Sequence, residues 1–570
     1  MNLLSFDLFY AKRRRLVSPG DRILRGSGAN RTVVVGAVAA LACGTFLRLD
    51  GLGHKLYTND EATTSVHVSG HTIADYLAAA RGGRITSTAV ALEYQHIDPA
   101  TTAADVVRSL ALEDPQHPPL FYVLERGWEG LGGTSVPMRR ALPALFGLLT
   151  LPAAYVFGLR LAGSRVFGLV LAALVAASPF QILYAQQARE YSLWAVFVFA
   201  GSAALLGALE RPREGRRWAV FTALTIGGLY TDVLYLYTLA AQGLYVAFLH
   251  RDALRSRALP FAVAAAAALA AFSPWLAVLV SHTATLTNNA YLGTPLPPSV
   301  FALKWFFNAG TVFFDLDYLW HATAVVLLPI LALAVFGAAK MRRRPGAARY
   351  VLALGVVPAI ALLLPDFAHH ESRSTAARYL VPTWIALETA VAFGIWTLLQ
   401  GRSARVRGIA AVAFVGLVAC GIASGAVAAT RQVWWGDGSV APIGPMARIV
   451  RASRPPVTVI FRDDQPIWNF EPMELANQVP PDTRLMLLSG TALPGRIPSR
   501  GTVLLLDPSS PLRHSLAARG VLLTRLYAGD LGETDDLRAQ RRAASAARAR
   551  HGFVDVPSSL WSAAPPKALR

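Results

Sequence analysis

The sequence predicts a polytopic α-helical membrane protein of about eleven transmembrane helices with a small extracytoplasmic α/β domain at its C-terminal end. Three observations predict it. The 570 residues are 54% hydrophobic and only 16% charged, with a mean hydropathy of +0.40, too little charge to cover a water-soluble fold of this length. The apolar residues come in blocks of about 17 to 23, the length a helix needs to cross a hydrocarbon core. Finally, the Lys and Arg residues behind a formal net charge of +19 gather in alternate short loops. In a soluble domain that charge would point to nucleic acid. In the loops of a membrane chain it reads as orientation, and no nucleic-acid partner is expected.

Residues 1–31 form a cytoplasmic N-terminal segment with basic clusters and no apolar core of a cleavable signal, so the first span is expected to stay as a signal anchor. The transmembrane domain covers 32–428, with spans at about 32–48, 139–160, 165–184, 190–209, 217–231, 233–249, 258–280, 321–339, 349–365, 378–399 and 407–428. Arg160/Arg165, Arg211–Arg217, Arg251–Arg257, Lys340–Arg349 and Arg402–Arg407 fall on the side of the N-terminus. The charge rule therefore puts the N-terminus in the cytoplasm and the C-terminal domain outside, in the inner membrane of a bacterial cell. Residues 118–133 are apolar enough to suggest a twelfth span, but they contain Glu125, Arg126 and Glu129. They read instead as a helix on the outer membrane surface or dipping into it. That leaves Arg139 and Arg140 facing outward, against the charge rule.

Three regions lie outside. The first is a loop at 49–138, and the second a loop at about 281–320 with Asn288, Asn289, Lys304, Asp315 and Asp317. The third is a domain at 430–535 following "WWGDG", in which "VTVIF", "RLMLLSG" and "TVLLLD" read as short strands of an α/β layer. Residues 536–570 read as a basic tail, partly helical and disordered at its end. Cys43 and Cys420 sit in apolar runs, so no disulfide framework is expected, and no internal repeat is evident.

The polar residues of interest collect on the outer side. "KLYTNDEATTS" carries Asp60 and Glu61, and "LEDPQHPPL" carries Glu113, Asp114 and His117. "YAQQAREYSLW" carries Arg189, Glu190 and Tyr191, "YTDVLY" carries Asp232, and "DFAHHESRSTAARYLVP" carries Arg378 and Tyr379. Carboxylates, arginines and tyrosines at one membrane face suit a substrate with a lipid tail and a polar head. Moving a sugar from a phosphate-linked lipid to a hydroxyl needs a base at the acceptor oxygen and cations at the departing phosphate. The acid pair is placed to deprotonate an acceptor just outside the bilayer.

The order "DEATT", "HPPLFYVL", "YAQQAREYSLW", "RYLVP" resembles the GT-C glycosyltransferases over about residues 30–400. It is similar to the bacterial branch near protein O-mannosyltransferases and lipid A aminoarabinose transferases, family 39/83-like. The resemblance implies a GT-C fold, a catalytic first external loop and a polyprenyl-phosphate-linked sugar donor. It implies Asp60 as the catalytic acid residue of that loop, with Glu61 beside it, and Glu190 as a second acid. Arg189 and Arg378 would be phosphate contacts, with His117, Tyr191 and Tyr379 as further donor or substrate contacts. Two departures stand out: residues 82–116 make the first loop longer than those of the mannosyl and aminoarabinose enzymes, and the C-terminal domain differs. Donor sugar and acceptor (glycan, lipid or protein) stay open.

Each residue also has a plainer reading. Asp60 and Glu61 suit a helix N-terminus; Arg189, Glu190, Arg378 and Tyr379 suit interface anchors. His67/His71 and His369/His370/Glu371 have metal-ligand spacing without a full ligand set. No metal site is assigned and no cofactor is called for, with a divalent metal left open. The alternatives are a lipid or glycan transporter or flippase, which would favour mid-span charge and paired repeats, and a catalytically inactive scaffold for the C-terminal domain.

Overall fold

The computed structural model describes residues 28–80, 84–248, 251–282, 296–315, 320–433, 443–462, 471–488, 498, 500–506, 508–528 and 559–564. Asn288, Asn289, Asp317, the "WWGDG" stretch, the basic clusters of the N-terminal segment and most of 536–570 lie outside the described residues.

All eleven apolar segments are helical, and the chain is a multi-pass membrane protein. Among the described residues, eight helices are long and apolar enough to cross a membrane: Arg31–Leu49, Val136–Ala162, Tyr191–Glu210, Ser256–Ser281, Thr323–Met341, Pro345–His369, Ala377–Leu399 and Ala404–Ala429. A ninth candidate is a bent pair, Arg165–Ala177 with Pro179–Ala185, turning by 62°. The segments at 217–231 and 233–249 form the shorter helices Gly215–Thr231 and Tyr235–Ala247. At a rise of about 1.5 Å per residue these run only about 26 and 20 Å, against a core of about 30 Å. Helix Leu120–Gly132 is no longer, and it packs on helices Asn59–Ser69 and Ala103–Glu113 of the loop at 49–138 rather than forming a further span.

The bend has a local cause. Pro179 lacks the N–H that the carbonyl of Val175 would receive in a continuous helix. The buried guanidinium of Arg48 replaces the missing donors, giving Nη2 to Val175 O at 2.9 Å and Nη1 to Ala176 O at 2.7 Å. Gly44 permits that approach, since a Cβ there would lie 2.2 Å from Ala176 O.

Arg139 and Arg140 are buried, not turned to the outer solvent. Arg139 Nε lies 3.4 Å from Glu129, and Arg140 is paired with Glu61. The charge rule counts free cations in loops, and these two are neutralised by acids of the loop at 49–138.

The three sequence-predicted strands are β2 (Val457–Arg462), β3 (Arg484–Leu488) and β4 (Thr502–Leu506), with β2 parallel to both neighbours. The six-stranded order is β1-β3-β2-β4-β6-β5. Two of the three added strands come from elsewhere than expected. β1 (Ile85–Ser87) belongs to the loop at 49–138 and pairs antiparallel with β3. β6 (Ser559–Ala564) lies inside the segment read as a basic tail, between β4 and β5 (Leu522–Ala528), so the sheet extends past residue 535. Its "SLWSAA" is small and apolar, unlike the Arg-rich stretch before it, and pairing buries Leu560.

One core joins loop and domain. Tyr57, Ala62, Val66 and Tyr76 of the first loop pack in a single apolar cluster with Met446, Val459, Leu485 and Leu504. The first loop and the C-terminal domain are thus one packed layer above the helices.

Candidate active site

Helix Asn59–Ser69 has the polar, β-branched sequence "NDEATTSVHVS", which does not favour a free helix. Its ends hold it. Thr58 and Glu61 form a capping box at the start, and Gly70, at φ 91°, closes the other end. Arg126 then takes the terminal carbonyls of Val68 and Ser69, donating through Nη1 at 2.9 and 3.0 Å.

Successive helix positions point about 100° apart, so the two acids meet different surroundings. Glu61 turns inward and is fully buried. Its Oε1 accepts from Arg140 Nε at 2.7 Å and Ala188 N at 3.0 Å; its Oε2 accepts from Arg140 Nη2 at 2.7 Å and Thr58 N at 3.0 Å. It ties together the first loop, the span Val136–Ala162 and the turn that carries Arg189 and Glu190. Gln186 pins the same turn by donating to the carbonyls of Leu47 and Asp50, at 2.7 and 2.8 Å.

Asp60 turns the other way, with its side chain 35% exposed and Oδ2 3.4 Å from Arg378 Nη1. Partial withdrawal from water would raise its pKa, but Arg378, Arg189 and His117 outweigh that and hold the carboxyl below its ordinary value. Arg189 lies alongside: its Nη1 donates to Thr64 Oγ1 at 2.9 Å and lies 3.4 Å from Asp60 O. The guanidinium of Arg189 faces the Tyr191 ring at 5.7 Å, and that of Arg378 faces the Tyr379 ring at 5.4 Å.

Glu190 is buried behind Arg189. Its Oε1 is 2.9 Å from His117 Nδ1 and 3.3 Å from Arg189 Nη2. Burial would raise its pKa, but the two cationic partners bring it to about 2. His117 also faces Asp114, Nε2 to Oδ2 at 3.7 Å. Burial pushes the imidazole down, but Asp114 and Glu190 together lift it above its usual value. Asp232, buried at the end of helix Gly215–Thr231, accepts from Leu234 N at 2.8 Å. Burial first, then the charge of Glu190, raise it to about 7.

The structure thus brings together all eight sequence-predicted residues, Glu61 as a buried staple and the other seven linked through the guanidinium groups of Arg189 and Arg378. Among the described residues, the buried Nε atoms of Arg189 and Arg378 and Oε2 of Glu190 have no hydrogen-bond partner. Unsatisfied donors beside an ionised carboxylate fit a ligand anion at the arginines. Sequence reasoning missed Arg140, which stood there only as an exception to the charge rule, and Tyr122 of "HPPLFYVL", which is fully buried near the charges of Arg189 and Glu190. The histidine pairs have other partners or stand in solvent. His67 is buried against Ser109 and its pKa falls to about 4, chiefly through burial. His71 meets Asp98 at 3.5 Å, and His369 and His370 are exposed. Among the described residues no group of three His, Cys, Asp or Glu side chains could hold a metal ion.

No protein-family model and no curated protein matches the chain. Solved structures do. ArnT from Cupriavidus metallidurans in its apo state is 15% identical, with 94% of this chain covering 98% of that one at a TM-score of 0.49. The Archaeoglobus fulgidus oligosaccharyltransferase, tethered with an acceptor peptide, is 12% identical, with 79% of this chain covering 64% of that one at a TM-score of 0.41. The Saccharomyces cerevisiae protein O-mannosyltransferase Pmt1–Pmt2 complex, bound to the sugar donor, is 16% identical, with 52% covering 38% at a TM-score of 0.30. The neighbours are GT-C glycosyltransferases. This chain spans less than two thirds of the oligosaccharyltransferase and mannosyltransferase chains. The likeness concerns architecture, and the functional argument rests on the side chains described above.

Proposed function

We propose that the chain is an inverting membrane glycosyltransferase that moves a sugar from a polyprenyl-phosphate-linked donor to an acceptor hydroxyl on the extracytoplasmic side. The observation that carries this reading is the half-open Asp60 carboxylate, held ionised beside two arginines whose inner N–H groups lack partners, at the head of a bundle of long apolar helices. Asp60 acts as general base. It takes the proton of the acceptor hydroxyl as that oxygen bonds to the anomeric carbon from the face opposite the phosphate. The bond from that carbon to the phosphate oxygen breaks, and its electron pair leaves on the polyprenyl phosphate. Arg189 and Arg378 stabilise the charge that develops there. Tyr191 and Tyr379 hold those guanidinium planes, and the His117–Glu190 pair fixes Arg189. Glu61 works through position: it seats the helix that presents Asp60.

The test is native mass spectrometry of the detergent-purified protein with a panel of polyprenyl-phosphate sugars and acceptors, comparing wild type with Asp60→Asn. The expected result is retained polyprenyl phosphate in both proteins, with sugar lost only from the wild type. Equal turnover by a folded Asp60→Asn protein removes Asp60 as base. Absence of any bound polyprenyl lipid from both removes the transferase reading.

A further inference from the structure

The segment between helices Pro345–His369 and Val381–Leu399 is irregular, with two short 3-10 turns, Arg373–Thr375 and Ala377–Leu380. At membrane level such backbone persists only where protein groups satisfy its polar atoms. Three side chains from the neighbouring helices satisfy backbone atoms here, and a fourth holds the hydroxyl of Ser374. Asp366 accepts from Arg373 N on Oδ1 and from Ser374 N on Oδ2, each at 2.8 Å. Trp384 Nε1 donates to Ala377 O at 2.9 Å. The other two belong to helix Pro298–Thr311, in the second external region. Trp305 Nε1 donates to Ser374 Oγ at 3.1 Å, and Asn308 Nδ2 donates to Thr375 O at 2.8 Å. The Trp305 and Trp384 rings also pack edge to face, with centroids 5.8 Å apart. Ser374 is fully buried, so its hydroxyl has no water in place of the indole. Three residues beyond Thr375 stands Arg378, with Nη1 3.4 Å from Asp60.

Asp366 and Trp384 sit on the helices that flank the segment. Trp305 and Asn308 reach it from a separate element, so the place of Arg378 depends on where that element docks. We propose that helix Pro298–Thr311 is the positioning element for Arg378. Trp305 and Asn308 fix the backbone at 374–375, and through it the guanidinium, and so set the affinity of the site for the phosphate of the lipid-linked donor. The inference rests on Arg378 being a phosphate contact, as proposed above. Neither residue touches the reacting atoms; both act through Arg378. Their loss raises the donor KM and lowers turnover at saturating donor to the extent that a displaced Arg378 no longer stabilises the charge on the departing phosphate, while Asp60 stays seated by the caps of its own helix. It also moves the acid limb of the activity profile upward, because a displaced Arg378 no longer favours the ionised form of Asp60.

The test uses the full-length protein in detergent. Trp305→Phe keeps the ring and deletes the N–H; Asn308→Ala, Ser374→Ala and the Trp305→Phe/Ser374→Ala double variant complete the set, with Arg378→Ala as reference. Hydrogen exchange across residues 372–380 is measured without lipid, and binding is measured with undecaprenyl phosphate. Faster exchange in that segment is expected, with affinity weakened about three- to ten-fold by Trp305→Phe and by Asn308→Ala. The double variant should bind no more weakly than its worse single variant, because both changes delete one bond. Unchanged exchange in Trp305→Phe and Asn308→Ala overturns the inference, as does unchanged affinity where Arg378→Ala loses the lipid. If wild type and Arg378→Ala bind the lipid equally, the phosphate-contact reading itself has failed. The proposed effect on donor affinity falls with it, and the exchange result still reports whether the helix holds the segment.

Discussion

Replacing Arg140 by Met separates the two neighbouring acids of the first loop. Glu61 is fully buried and receives four hydrogen bonds, two of them from Arg140 at 2.7 Å. Arg140 also donates to the carbonyls of Leu52 at 2.9 Å, Lys55 at 3.1 Å and Leu56 at 2.8 Å. Removing the cation strands a buried carboxylate, and breaking a buried pair from one side costs about 3–5 kcal/mol. Asp60 is different. It is a third exposed and meets Arg378 at 3.4 Å, so Asp60→Asn should change stability by no more than about 1 kcal/mol. Thermal unfolding in detergent, followed by intrinsic fluorescence, should give a clearly lowered Tm for Arg140→Met and Glu61→Gln and a near wild-type Tm for Asp60→Asn. The double variant Glu61→Leu/Arg140→Met should recover part of the loss, since no charge is left unpaired. A wild-type Tm for Arg140→Met, or an Asp60→Asn protein as unstable as it, would refute the assignment of one acid to structure and the other to chemistry.

The remaining predictions concern pH, the C-terminal domain and helix contact. Glu190 is brought from 4.5 to about 2, so its contribution to stability is full above pH 4.5 and is lost as pH falls toward 2. His117 is raised above 6.5, so its contribution is full below pH 6.5 and is lost as pH rises through the higher folded value. A Tm–pH profile of Glu190→Gln should therefore show a shallower acid limb than the wild type and lose stability on the basic side at lower pH. Removing residues 443–570 uncovers Tyr57, Val66 and Tyr76, so proteolysis should open the first loop between residues 57 and 93 and folded yield should fall. Gly44→Ala pushes a methyl to 2.2 Å from Ala176 O and should cost about 1–3 kcal/mol, whereas Gly408→Ala, with nothing within 4 Å, should keep the wild-type Tm.

Much of this was legible in the sequence, for physical reasons. A span must be long and apolar because the hydrocarbon core offers its backbone no partners, so all eleven segments could be marked as helices from composition alone, while among the described residues eight of the helices, or nine with the bent pair, are long enough to cross. The three parallel strands stood out as short apolar runs between turns. The outer-end motifs named the loops that meet at the site. What the sequence left open are properties of contact between distant residues. Two acids in succession carry the same local signal, and only Arg140, on a span beyond the first loop, decides that Glu61 turns inward while Asp60 keeps an open face. The run at 165–184 reads as one straight helix until Pro179 and the guanidinium of Arg48 break it into a bent pair. Strands β1 and β6 are too short or too small to register alone, and they become strands by pairing with β3 and β4. Chain-local physics sets where helices form. The site depends on which side chain satisfies a buried charge or an orphaned carbonyl, and only the assembled fold brings those partners within reach.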